Sequence, residues 1–283
     1  DEGTIDSDGR YHELRMDEWG TTWEYLIFGI QGHPKRYALD RWGTGENFRF
    51  PPVPARGSPL FTEECERVRG WKKEFLVFMG WVSIFERLYA LRPIDEVLMD
   101  LAVDDAGLLE FLDRLVEHWL AWINYYLEIG VDVIQFGDDW GTQTGQMIST
   151  SLWRRVFLPR YRVLMEPIRK AGRKIFFHSC GKLGDLLPEI LDLSVDGIWP
   201  QLSVYDDGYL SDVCRRHRIA MYIHPDRQHL IPLGSPEDIR RRIREYADRF
   251  HDMGGGGIFY VEMENDAPFE NVKALIESVH AFR

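Results

Sequence analysis

Two short runs place metal-binding and ionisable side chains where chemistry could be done. His178-Ser179-Cys180 offers an imidazole and a thiol two residues apart. On an extended strand such residues share a face, and a nitrogen and a sulfur donor presented together suit zinc. Two donors are not a site, so a third ligand is expected from the carboxylates Glu262, Glu264 or Asp139. Three protein ligands and an open position would let zinc activate a bound thiol or water. The plainer reading of the same spacing is a buried structural cysteine beside a hydrogen-bonded histidine. Asp138 and Asp139 are adjacent, so in extended chain only one can face inward, as general base, substrate anchor or metal ligand. The other is expected to cap a loop. His224 is a candidate acid–base group, and Arg227 could pair a substrate carboxylate through its planar fork. Gln135, Trp140 and Gln201 are candidate substrate contacts, and Glu18 and Trp19 candidate rim residues.

These residues gain meaning from the elements that would carry them. Six short apolar runs read as buried parallel strands: 75–82, 131–137, 174–178, 195–200, 219–224 and 257–262. They lack clean alternation, as strands covered on both faces must. Helical patterns lie between them, at 104–129, 149–171, 184–193, 209–217, 235–253 and 270–282. Ser235-Pro236-Glu237-Asp238 supplies a cap, a proline at the first helical position and first-turn acids. Alternation of this kind gives an open doubly wound sheet or a closed barrel. No Gly-x-Gly-x-x-Gly follows an early strand, which weakens a dinucleotide-binding fold. In a barrel, function collects at the C-terminal strand ends. Five successive ends here are polar: 135–141, 178–181, 200–201, 224–228 and 262–266. Residues 18–30 read as an antiparallel excursion over the barrel mouth, and 49–59 as Pro-rich loop. The four glycines 254–257 precede a strand rather than a helix, so they read as a tight turn and not a phosphate cradle.

Composition narrows the partners. The 283 residues carry a formal charge of −12, which argues against nucleic acid. Arg240, Arg241, Arg242 and Arg244 sit among acids on a helical pattern and read as a solvated face. The three cysteines build no disulfide framework and suggest a reducing, cytoplasmic setting. No apolar run reaches transmembrane length, and no signal peptide is visible. The chain opens without Met, so upstream sequence is expected.

Phe177-His178-Ser179-Cys180-Gly181, then Leu186-Leu187-Pro188, then Val195-Asp196-Gly197-Ile198 resemble the uroporphyrinogen decarboxylase superfamily. So do Gly130-Val131-Asp132-Val133-Ile134 leading to Asp138-Asp139-Trp140-Gly141, and Ala267-Pro268-Phe269-Glu270-Asn271-Val272. The resemblance covers roughly residues 75–283. It implies an α/β fold, a (β/α)8 TIM barrel over one domain, with the first two strands absent or degenerate. The superfamily's decarboxylases act on a polycarboxylate porphyrinogen. They have an Arg-rich start and a histidine near the last strand, where this chain has Glu262, Met263 and Glu264. Its zinc methyltransferases move methyl groups between a corrinoid protein and a thiol, and His178-x-Cys180 matches their first two zinc ligands. Their later cysteine ligand is missing, and Glu262 or Glu264 lies near its place. The expectation is a methyltransferase with zinc on His178, Cys180 and one of those glutamates. Its partners would be a small-molecule substrate and a methyl-corrinoid protein, with a homodimer left open. A metal-free decarboxylase and a non-catalytic ligand-binding barrel are the alternatives.

Overall fold

The computed structural model describes residues 4–5, 7–42, 48–251 and 256–282. The fold is α/β, with parallel strands flanked by helices and a four-stranded antiparallel sheet, and the chain divides into two compact units. Unit 1 comprises Asp1–Asp138 and Ile148–Ile175; unit 2 comprises Asp139–Met147 and Phe176–Arg283.

Unit 1 opens with the antiparallel sheet of β1 (Thr4–Ile5), β2 (Tyr11–Met16), β3 (Thr22–Tyr25) and β4 (His33–Arg36), in that order. The antiparallel reading of residues 18–30 thus extends in both directions. Helix α1 (Pro59–Trp71) follows the Pro-rich loop read over 49–59 and shares only Pro59 with it. Its signal is short: Ser58 accepts from the Phe61 N–H at 3.2 Å, and Pro59 takes the first helical position. Strand β5 (Phe78–Val82) pairs in parallel with β6 (Val133–Gly137). Between them run α2 (Phe85–Leu91), α3 (Ile94–Ala102) and α4 (Ala106–Ile129).

Helix α4 shows how the sequence sets the core. Asp105 caps it by accepting from the Leu108 N–H at 2.9 Å. Leu108, Phe111, Leu112, Leu115, Trp119 and Ile123 recur at helical spacing and are buried. Gly130, at φ 91°, ends it in the left-handed region that glycine adopts without steric cost. The helical pattern over 149–171 is two helices, α5 (Thr150–Val156) and α6 (Leu158–Lys170). Pro159 lacks the N–H that an uninterrupted helix would need there.

Unit 2 holds β7 (Lys174–Ser179, from Phe176 onward), β8 (Gly197–Pro200), β9 (Ala220–Ile223) and β10 (Gly257–Phe259). They pair in parallel as β10-β9-β8-β7. The intervening helices are α7 (Leu186–Leu191), α8 (Asp207–His217), α9 (Leu230–Leu233) and α10 (Pro236–Phe250), and α11 (Phe269–His280) follows β10. Ser235 and Asp238 close a capping box on α10. Strand β10 is shorter than its apolar run, so Tyr260, Glu262 and Glu264 lie beyond the ladder. Gly254 and Gly255 of the glycine run fall outside the described residues. No helix among the described residues is long and apolar enough to cross a membrane.

Candidate metal centre

Register decides which side chains in unit 2 share a face. His178 stands opposite Trp199 and Phe176 opposite Gly197, while Ile198 pairs Met221 and Tyr222 pairs Ile258. With the two-residue period of a strand, Phe176, His178, Trp199, Tyr222, His224 and Tyr260 fall on one side. The ring contacts agree: His178–Trp199 4.4 Å, Trp199–Tyr260 4.3 Å, Phe176–Tyr222 4.8 Å and His224–Tyr260 5.1 Å between centroids. Aromatic rings and imidazoles fill this face. Gly197 makes room, since a Cβ there would sit 2.2 Å from the Phe176 ring.

Cys180 lies one residue past β7, and Asp139 begins the loop 139–147. Two glycines let these segments touch. A Cβ on Gly181 would come within 2.2 Å of the Gly141 backbone, and one on Gly141 within 2.6 Å of Gly181. The Lys182 N–H donates to the Thr142 carbonyl at 2.7 Å, and the Trp140 N–H to Ser179 Oγ at 3.0 Å. Gln201 Oε1 accepts from the Gly181 N–H at 2.9 Å, and the Tyr205 hydroxyl donates to the Gly181 carbonyl at 3.2 Å. The turn after Cys180 is therefore held from several sides.

The outcome is a three-donor cluster. His178 Nε2 lies 3.4 Å from Cys180 Sγ and 3.4 Å from Asp139 Oδ1, and all three donor atoms fall within 4.8 Å of one another. The Cys180 N–H donates to Asp139 Oδ1 at 2.6 Å. Burial pushes the Asp139 carboxyl up. The His178 hydrogen bond and charge, the Cys180 N–H and the Arg227 charge outweigh burial and hold it below the ordinary carboxylate range. Zinc bonds of about 2.0–2.3 Å imply tetrahedral edges of about 3.3–3.7 Å between N, O and S ligands. The two 3.4 Å separations match that spacing. A thiolate and a carboxylate would also neutralise a dication while the imidazole stays neutral. The donor set could hold a metal ion such as zinc.

A second group adjoins it. The Trp199 Nε1–H donates to His224 Nδ1 at 3.1 Å. Arg227 Nη1 donates to Glu264 Oε1 at 3.0 Å and to Glu262 Oε2 at 3.3 Å. Burial, and then the positive charges of Arg227 and His178, push His224 down to about 4.

The sequence candidates sort accordingly. His178, Cys180 and Asp139 are brought together, whereas Glu262 and Glu264 are not in the cluster: Arg227 spans both. Of the three carboxylates expected to supply a third ligand, Asp139 is the one that stands with His178 and Cys180. Asp138 takes the capping part expected for one member of the adjacent pair. In unit 1, fully buried, it accepts from the Ile84 N–H at 2.8 Å, the Glu86 N–H at 2.7 Å and the Tyr161 hydroxyl. It thus caps the start of α2 from a distance. Trp140 is also fully buried. Gln201 braces the Gly181 turn and donates to Gln143 at 3.2 Å. Gln135 is half-buried on β6 in unit 1. Arg227 meets glutamates, and His224 meets Trp199. Trp19 is buried beneath the Arg87 guanidinium, 4.1 Å above its ring, and Glu18 is exposed. Trp199, Tyr260 and the Gly141–Gly181 pair escaped the sequence reading. Strand alternation carried the signal for Trp199, which faces His178 once β7 and β8 pair.

The sequence pattern of the family described as Uroporphyrinogen decarboxylase (URO-D) matches residues 50–282. Among solved structures, a methyltransferase from Methanosarcina mazei aligns with TM-score 0.62 and 18% identity, over 96% of this chain and 75% of its own. Dihydropteroate synthases from Anaplasma phagocytophilum and Xanthomonas albilineans align with TM-scores of 0.42 and 0.45. Their identities are 16% and 12%, over 63% and 73% of this chain and 69% and 68% of theirs. No protein with a curated record matches in sequence. At such identities the structural likeness speaks to fold alone, but the family match spans most of the chain: this protein belongs to the uroporphyrinogen decarboxylase family.

Proposed function

We propose that the protein is a zinc-dependent methyltransferase that works with a methyl-corrinoid protein, in methyl transfer to a small acceptor or in corrinoid-dependent demethylation. The convergence of Asp139, His178 and Cys180 on one point carries this reading. The fold likeness to a methyltransferase is in keeping with it, and the parallel strands are read as part of a (β/α)8 barrel. Bound zinc would supply Lewis acidity, lowering the pKa of a coordinated thiol or polarising a donor heteroatom. The chain's own residues set the conditions. Cys180 and Asp139 bring negative charge, the Cys180 N–H fixes the carboxylate, and the Trp199 ring buttresses His178. A decarboxylase of polycarboxylates would need arginines free for substrate, and Arg227 is engaged by two glutamates.

Elemental analysis after zinc-supplemented expression tests the reading. About one equivalent of zinc is expected, lost in Cys180→Ala and Asp139→Ala and retained in Glu262→Ala. Metal-free wild-type protein would overturn it.

A further inference from the structure

The imidazole of His224 is almost fully enclosed, its side chain 11% exposed. Its two nitrogens differ. Nδ1 accepts from the Trp199 indole N–H, which has no lone pair to offer in return. An Nδ1 that accepts carries no proton, so in the neutral ring the proton sits on Nε2. Nε2 is buried and has no hydrogen-bond partner among the described residues. Glu262 Oε2 stands 3.4 Å away without making that bond, and turns to Arg227. A buried donor left unpaired is costly enough that native structures rarely keep one without a use. The same Trp199 ring packs on His178, so the unpaired donor and the metal cluster adjoin one indole.

We propose that Trp199 locks His224 in the Nε2–H tautomer, and that this preset donor receives a lone-pair acceptor atom of the substrate. The proposal deepens the methyl-transfer reading and rests on it for the nature of the ligand. It selects a substrate that brings an oxygen or another acceptor heteroatom beside the metal cluster. A quaternary ammonium group, which has no lone pair, does not meet the requirement. Trp199 is then a positioning residue, and His224 a binding group that donates a hydrogen bond without exchanging a proton.

Nitrogen-15 NMR of histidine-labelled protein tests both halves, with His224 assigned by its loss in His224→Gln. The wild type should show one tautomer, protonated at Nε2, at neutral pH. Trp199→Phe keeps a ring but removes the N–H, and should release a mixture with the Nδ1–H form several-fold more populated. Glu262→Ala should leave the tautomer unchanged. Trimethylamine N-oxide and tetramethylammonium serve as probes of matched size, only the first carrying an acceptor oxygen. The N-oxide should shift the Nε2–H resonance saturably and tetramethylammonium should not. A wild-type ring protonated at Nδ1, an unchanged tautomer in Trp199→Phe, or no difference between the probes would overturn the proposal. If Trp199→Phe does not fold, the wild-type tautomer and the probe pair still decide it. Zinc measured on the same samples separates the two claims. A locked tautomer without zinc sinks the methyltransferase reading alone, and zinc with a free tautomer sinks this one alone.

Discussion

Asp138 and Asp139 are chain neighbours with opposite fates. Asp138 ends the first segment of unit 1, where two backbone N–H groups and a tyrosine hydroxyl satisfy its oxygens and no surface reaches solvent. Asp139 opens the loop of unit 2, where one backbone N–H holds Oδ1 against an imidazole. A carboxylate whose acceptor sites are filled by the fold serves stability. One that meets another metal-binding side chain remains available for chemistry. Sequence adjacency says nothing about which is which; the donors that meet each carboxylate do.

Substituting both aspartates gives the sharpest break of that contrast. Asp138→Ala would strand a buried and a part-buried N–H group and a buried hydroxyl. At about 1–3 kcal/mol per lost bond to a charged acceptor, an overall loss of about 3–5 kcal/mol is expected by denaturant unfolding. Asp139→Ala should cost about 1 kcal/mol, since a single backbone N–H loses its partner, yet it should abolish zinc binding. Equal stability losses in the two variants would erase the distinction.

A smaller effect is expected at Gly181, which has φ +76° and is pressed on the Gly141 backbone. Gly181→Ala should cost about 2–3 kcal/mol through strain and displacement. It should also weaken zinc binding at least tenfold, because the two donor-bearing segments can no longer touch. Gly172→Ala, with φ +67° but open space around it, should cost less and spare the metal.

The smallest effect concerns pH. In unit 1, burial and then the Arg87 charge push His118 down to about 4. Its folded pKa lies below its unfolded value of about 6.5, so the unfolded chain binds the extra proton. The resulting stability is complete above about 6.5 and is lost as pH falls from there toward 4. His118→Phe should flatten the decline in denaturation midpoint between pH 7.5 and 5. An unchanged slope would show that His118 is not its source.

Much of this was legible in the sequence, for identifiable reasons. Apolar runs of the right length announced the parallel strands, and the Ser235 cap announced its helix. His178 and Cys180 were legible because strand alternation fixes their common side. The third donor was not. Choosing Asp139 over Glu262 or Glu264 depends on a backbone crossing at Gly141 and Gly181 and on Arg227 reaching two glutamates, both long-range events. Helix α1 escaped because its first residue, Pro59, is also the last of the Pro-rich loop. The burial of Asp138 depends on Tyr161, 23 residues away on α6.

X-ray absorption at the zinc edge of the loaded protein tests the central claim most directly. The account predicts one sulfur at about 2.3 Å with nitrogen and oxygen ligands at about 2.0–2.2 Å, and loss of the sulfur shell in Cys180→Ser. A shell of nitrogen and oxygen alone in the wild type would contradict it.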